Sequence, residues 1–215
     1  MQVVERSIWL RKKLEPLARV PLFWDIFQFI LGGNREKFRL LSLIFSQPGK
    51  ILEIGCATGN IAPFFEKFDY TGVDTDIQSV ESAQKKFASS SFQFFAGDIN
   101  SLKIEKNSFD YVLISHTAHH LSDEDFAKII ATSHNFLKIG GRLIVLDMIR
   151  PGPEEIFTKQ LGYRLDRGEF MRTLDEFRTF FNSSGFLNVT LERRACQKLG
   201  FISMIDSCII TANKA

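Results

Sequence analysis

The sequence predicts an α/β domain built on a mostly parallel β-sheet. Three observations carry this. From Lys50 onward, short apolar runs alternate with amphipathic segments, the pattern of repeated strand–helix units. Helix-start signals stand between several of those runs. A loop of small residues follows the first run directly, as at the strand exits where open α/β sheets bind ligands. A length of 215 residues suits one domain with a large core, and 45% hydrophobic with 24% charged residues is ordinary globular composition.

Taken in order, residues 1–46 read as an N-terminal helical cap, punctuated by Pro16, Pro21 and the Gly32-Gly33 pair. Strands are expected at 51–54, 70–73, 92–96, 111–115, 142–147, 187–192 and within 205–211, with helical segments between the first five. Asp76 can cap a helix carrying Ile77, Val80, Ala83 and Phe87. Ser122 and the acidic run Asp123-Glu124-Asp125 precede Phe126, Ile129, Ile130 and Leu137, which suits a cap and a helix dipole together. Thr173 with Glu176 forms a capping box before Phe177, Phe180 and Phe181, and Gly185 stands where that helix should stop. Pro151-Gly152-Pro153 breaks the chain after the fifth strand, so 149–172 is expected as an insertion at the sheet's carboxyl edge. The whole of 1–215 is expected as one domain.

Composition prunes the functions. A net charge of +2 is too mild for DNA binding and argues against RNA; Arg6, Arg11, Lys12, Lys13 and Arg19 suit a solvated helix face. Cys56, Cys196 and Cys208 lack CxxC or metal-ligand spacing, so reduced thiols and no metal are expected. No apolar run reaches the length of a transmembrane span, and Gln28 and nearby charges interrupt the candidate leader at 23–31; the cytoplasm is the expected location. The 22 phenylalanines are expected in the core rather than as a lining for an apolar ligand.

The chemistry sits in residues 51–60, Ile-Leu-Glu-Ile-Gly-Cys-Ala-Thr-Gly-Asn. A buried strand enters a loop whose Gly55 and Gly59 allow backbone angles closed to other residues, then a helix expected near Ile61. Alone, such a turn suits a dinucleotide, a nucleoside or nothing. The second strand then ends at Asp74, at the spacing where an acid accepts from ribose hydroxyls. The third strand ends in Ala96-Gly97-Asp98-Ile99, and the fourth in Ser115-His116.

Glu53-x-Gly55-x-x-x-Gly59, Asp74, Asp98, Phe109-Asp110 and Phe136-Leu137-Lys138-Ile139-Gly140-Gly141, in that order, resemble the class I S-adenosylmethionine-dependent methyltransferases, particularly their small-molecule branch. The likeness runs from about Lys50 to Gly141, with a looser tail. It implies a Rossmann-like sheet of seven strands, mostly parallel with the last antiparallel, helices on both faces and extra N-terminal helices. It implies S-adenosylmethionine as cofactor, S-adenosylhomocysteine as product, and contacts from Glu53, Gly55, Cys56, Ala57, Gly59, Asp74, Thr75, Asp98, Ile99 and Ser115. Ala57 stands where glycine is common in the family, and is small enough to keep the close approach. A nicotinamide dinucleotide site needs G-x-G-x-x-G, and 55–60 lacks the middle and final glycines.

A sulfonium methyl is already activated, so alignment comes first, and a base is needed only where the acceptor loses a proton. His116, nearest the end of the fourth strand, is expected to face the methyl group as the catalytic residue, with simple packing as the competing reading. Trp24, His119, Asp147, Tyr163 and Arg167 are expected around the acceptor; His119 and His120 also fit a family pattern with a structural role. Arg164, Arg167 and Arg172 suit recognition of a carboxylate or phosphate, against the reading of a solvated loop. Residues 114–117 lack the pattern of amino-methylating enzymes for adenine or glutamine, and no Pro-Cys thiol or paired magnesium-binding acids are evident. The expectation is methyl transfer to a small-molecule or lipid-like acceptor. The alternatives are a non-catalytic cofactor-binding or partner subunit, and an RNA methyltransferase. Nothing readable names the acceptor or the oligomeric state.

Overall fold

The computed structural model describes residues 33–215 apart from 89, 156–158, 161–162, 164–167, 183 and 200–201, with side chains placed outside 33–36 and 195–205. Trp24, Arg164, Arg167 and the first 32 residues of the expected cap lie outside the described residues, as does the side chain of Cys196.

The described chain opens with helix α1 (Gly33–Ile44). There follow β1 (Lys50–Ile54), β2 (Asp69–Asp74), α2 (Ile77–Lys86), β3 (Gln93–Ala96), β4 (Phe109–Ser115), α3 (Asp123–Phe136), β5 (Leu137–Met148), α4 (Leu174–Phe181), β6 (Phe186–Leu199) and β7 (Ile202–Lys214). The strands form one seven-stranded sheet in the order β3-β2-β1-β4-β5-β7-β6. The pairs β1–β2, β2–β3, β1–β4 and β4–β5 are parallel, while β7 runs antiparallel to both β5 and β6. The chain moves outward from β1 to β3 and then returns to β4 on β1's other side. That reversal opens a crevice at the carboxyl ends of β1 and β4.

Alternation along the central strands explains the layers. Leu52, Val112, Ile114, Leu143 and Val145 face one cluster with Phe126 and Ile130 of α3 and Phe177 and Phe181 of α4. Ile51, Leu113, Ile144 and Leu146 face the other, with Leu40 and Leu41 of α1 and Val80 and Ala83 of α2. Both sheet faces are thus covered. The second cluster is aromatic: Phe45 packs edge-on against Phe65, Phe68 and Tyr111 at 5.1–5.8 Å.

The expected caps form. Asp76 accepts from the Gln78 N–H at 3.1 Å, Ser122 from the Asp125 N–H at 3.1 Å, and the Thr173–Glu176 box closes in both directions. Gly185 takes a φ of +76° after α4.

Two links depart from expectation. No α-helix follows β1; only a 3-10 turn, Ala62–Phe65, stands there. Ala62 and Phe65 of that turn are buried in the second cluster. The link from β3 to β4 is also non-helical: Asp98 accepts from the Asn100 N–H, and Gly97 and Asn107 hold positive φ angles. At the far end, β6 and β7 extend well beyond the expected 187–192 and 205–211 as a long antiparallel hairpin. Among the described residues no helix is long and apolar enough to cross a membrane.

Candidate active site

The crevice at the β1–β4 edge is a cavity of about 1040 Å³. It takes residues from the exits of β1, β2, β3 and β4, as parallel strands ending at one edge require. Glu53, Gly55, Cys56, Ala57, Asp74, Thr75, Asp98, Ile99 and Ser115 all line it, and so do His116 and His119.

The loop after β1 is shaped by its backbone. Gly55 turns at φ +83°, and a Cβ there would fall 2.3 Å from Thr117 Oγ1. That bare Cα lets the exits of β1 and β4 touch, and the Thr117 hydroxyl donates to the Gly55 carbonyl at 3.3 Å. Gly55 and Cys56 N–H groups both donate to the Val73 carbonyl, at 2.8 and 3.1 Å. Ala57 holds φ +45° with its own N–H on Asp74 Oδ2 at 2.8 Å. Gly59 does not line the cavity. It turns at φ +70° against Phe87 and Phe94, so it serves the packing of the loop.

Asp74 braces two loops at once: Oδ2 accepts from Ala57 and Oδ1 from the Asp76 N–H at 2.9 Å. A carboxylate has about four lone-pair sites, so each oxygen retains acceptor capacity. Glu53, 2% exposed, accepts from the Tyr70 hydroxyl. Burial pushes its carboxyl up to about 7, against the pull of Tyr70 and Lys37 and with the push of Asp74. Lys37, from α1, lines the cavity as well. No sequence signal marks it, because a lone lysine on a helix face reads as solvated. Cys56 and Cys208 are buried free thiols whose pKa burial drives upward, which makes them poor nucleophiles.

The histidines divide by environment. His116 sits at φ +53° directly after β4, its N–H on the Leu146 carbonyl at 2.7 Å and its Nδ1 3.3 Å from Ser115 Oγ. Burial, followed by the charge of Lys37, holds its pKa well below the usual histidine value. His119 is 2% exposed and lies against Asp147, which is fully buried. Nδ1 and Asp147 Oδ1 are 2.5 Å apart, and the His119 N–H donates to Oδ2 at 3.2 Å. Burial alone would raise the Asp147 carboxyl; His119 outweighs it and holds the group below the usual carboxylate range. A carboxylate accepts only, so Nδ1 carries the proton and Nε2 is the basic nitrogen. The pairing of an interior strand-end acid with a histidine 28 residues earlier has no local sequence mark.

Two other expected acceptor residues stand elsewhere. Tyr163 packs on Met148 and Met171 and lines a small void beside Ile149, not the main cavity. Arg172 is 3% exposed and turned into the protein, so it cannot meet a substrate as the sequence suggested. Among the described residues no group of three His, Cys, Asp or Glu side chains is placed to hold a metal. Among the described residues no phenylalanine lines the cavity; most of them pack in or against the core clusters.

Residues 51–141 match the family model described as a methyltransferase domain. Over 113 residues the chain is 27% identical to a ubiquinone/menaquinone biosynthesis C-methyltransferase of Desulfotalea psychrophila, covering 51% of this chain and 45% of that protein. It is 26% identical to phosphoethanolamine N-methyltransferase 2 of Caenorhabditis elegans, covering 75% of this chain and 38% of that one. The chain thus spans less than half the length of these curated relatives. Among solved structures, a possible histamine N-methyltransferase of Thermotoga maritima superposes with a TM-score of 0.70 at 19% identity, over 92% of this chain and 97% of that one. That likeness establishes the fold.

Two outcomes follow. The exposed Ala57 methyl has little packing to lose, and an L-residue in the left-handed region costs about 1–2 kcal/mol. Ala57→Gly should therefore gain up to about 1 kcal/mol in denaturant unfolding after glycine's extra chain entropy; a loss of stability would contradict this. Glu53 keeps its proton to about pH 7 when folded, against 4.5 in the open chain. Its contribution to stability is full below the unfolded value and is lost as pH rises through the folded one. Wild-type melting temperature should fall relative to Glu53→Gln between about pH 5 and pH 8, whereas parallel curves would refute a raised Glu53 pKa.

Proposed function

We propose that this chain, which carries a methyltransferase domain at residues 51–141, binds S-adenosylmethionine at the β1–β4 edge and moves its methyl group to a small-molecule or lipid-like acceptor. The observation that carries the reading is the cradle itself: the small residues Gly55 and Ala57 at positive φ, with Glu53, Asp74 and Asp98 around one cavity.

The residues fit such a group. A nucleoside with an amino-acid tail carries an ammonium, a carboxylate, two ribose hydroxyls and an adenine. Glu53 and Lys37 would take the two charges of the tail. Asp74 would accept from the ribose with its remaining lone pairs, and Asp98 with Ile99 would hold the adenine amino group and face. Thr75 and Ser115 complete the wall, and Gly59 supports the loop from behind. When bound, S-adenosylmethionine supplies a methyl group on a positively charged sulfur, and S-adenosylhomocysteine is left.

The chain's own residues align the acceptor and take its proton. His119 is the proton acceptor in this reading, because Asp147 fixes its Nδ1–H and stabilises the imidazolium that forms when Nε2 is protonated. His116, named first by its position after β4, is a weaker base for its environment and serves as a neutral group on the wall facing the methyl. The acceptor class is then one whose attacking atom carries a proton, such as a hydroxyl or an ammonium. The relatives named above carry names of small-molecule chemistry, which supports a small-molecule or lipid-like acceptor.

The reading extends to one domain, with 1–46 as a cap and 149–172 as an insertion, in a cytoplasmic protein without a nucleic-acid partner. The net charge of +2 supports the last point.

The test is methyl transfer from labelled S-adenosylmethionine to a panel of phenols, alcohols, primary amines and phosphorylated amino alcohols. Wild type should methylate a member of the panel, and His119→Gln should lose about a hundredfold or more in kcat. Turnover unaffected by His119→Gln would remove the proton-accepting role. No transfer to any member, from protein that binds the cofactor, would favour the binding role.

A further inference from the structure

Arg172 is buried at 3% exposure, where an unpaired guanidinium would be costly. Its donors are spent on the turn that carries His119. Nη1 donates to the Ala118 carbonyl at 2.8 Å and Nη2 to the Leu121 carbonyl at 2.8 Å. Those two carbonyls flank His119 and His120 in the 3-10 turn Ala118–His120. Nε and Nη2 also reach Asp123 Oδ1, at 3.0 and 2.7 Å, at the start of α3. The rings of Phe126, Phe177 and Phe180 close round the guanidinium, with centroids 5.0, 6.0 and 5.2 Å away.

The same short segment, residues 168–172, touches His119 on one side and the chain just beyond Asp147 on the other. The Phe170 N–H donates to the His119 carbonyl at 3.0 Å. A Cβ on Gly168 would fall 2.3 Å from His119 Cδ2, so the chain lies flat on the imidazole at a place where no other residue fits. On the other side, Arg172 bridges to Ile149, two residues beyond Asp147, and the Arg150 N–H donates to the Arg172 carbonyl at 2.9 Å. Residues 168–172 thus tie the histidine-bearing turn to the end of β5, which carries the acid.

We infer that Arg172 is the positioning residue of the His119–Asp147 pair, and that the 168–172 segment holds the imidazole at hydrogen-bond distance from its carboxylate. A staple for the fold alone needs no fork: an apolar side chain among three phenylalanines would serve, and buried ions are often replaced by apolar groups without loss. Two carbonyls of one tight turn, presented at different angles, do need a planar multi-donor group, which lysine does not supply. The catalytic consequence rests on the reading of His119 as proton acceptor. The positional one does not.

The experiment compares Arg172→Gln and Arg172→Lys with Arg150→Gln in the full chain. Arg150→Gln removes the bond to the Met171 carbonyl of the same segment and the pair with Glu176 of α4, while leaving the Arg172 fork in place. The chain has four histidines, so ring nitrogen–proton correlation spectra resolve them after assignment by His→Gln variants. In wild type His119 should show the Nδ1–H tautomer. Both Arg172 variants should shift it toward a mixture of tautomers and leave His134 unmoved. With an acceptor in hand, their kcat should fall about tenfold or more, at unchanged cofactor affinity. Arg150→Gln should lower the melting temperature without moving the His119 signal. A His119 signal identical in wild type and the Arg172 variants would overturn the inference, and so would an equal shift in Arg150→Gln. Should Arg172→Gln not fold, Arg172→Lys decides by the same two signals. Absence of methyl transfer in wild type would fault the functional reading alone, because the tautomer is read without turnover.

Discussion

The Asp74 carboxylate joins two strand exits into one wall. Its bonds to the Ala57 and Asp76 N–H groups are what keep the loop after β1 beside the turn after β2. Parallel pairing had already placed both exits at one edge, with Ile54 beside Val73 and beside Ile114. Backbone at such an edge has donors with no ladder partner, and a buried donor must find an acceptor. Asp74 supplies one from a side chain, the Val73 carbonyl takes two more, and the Thr117 hydroxyl ties in the exit of β4. The cavity is the space enclosed by those three exits and the exit of β3.

Around that frame the charged groups sort by what surrounds them. Glu53 is sealed between β1 and the aromatic cluster, where a carboxylate is poorly solvated, so its pKa climbs. Asp147 is sealed as deeply, yet stays ionised because an imidazole and two backbone N–H groups meet it. Two buried acids near the ends of β1 and β5 thus lie on opposite sides of the usual carboxylate range. One holds its proton up to about pH 7, and the other stays ionised against a histidine. His116 and His119 differ in environment as well: burial and then the charge of Lys37 disfavour a proton on the first, while the second lies against a carboxylate.

Much of the frame is legible in the chain because its causes are local. Alternation of apolar residues names the strands, and the hydroxyls of Ser122 and Thr173 fix their helix starts with bonds spanning three residues. The glycine loop and Asp74 stand in order along one stretch, so the cavity's cofactor side is readable. The rest depends on pairings between distant positions. His119 meets Asp147 only after β5 is laid beside β4, and Arg172 reaches Ala118 across 54 residues. A sequence shows an arginine in an insertion and suggests a substrate ligand; burial among three phenylalanines makes it an internal clamp. After β1 only a 3-10 turn forms, and its Ala62 and Phe65 are drawn into the core. Lys37 is unmarked for the same reason: its neighbours at the cavity are made by the fold.

Titration of the purified chain with S-adenosylmethionine and S-adenosylhomocysteine by calorimetry, beside Asp74→Ala, tests the central claim most directly. The account predicts one saturable site for both compounds, weakened in the variant by about 1–3 kcal/mol as charge-assisted hydrogen bonds are lost. A folded wild-type protein that binds neither compound would contradict it, and would leave the cavity at the strand edge to a different ligand.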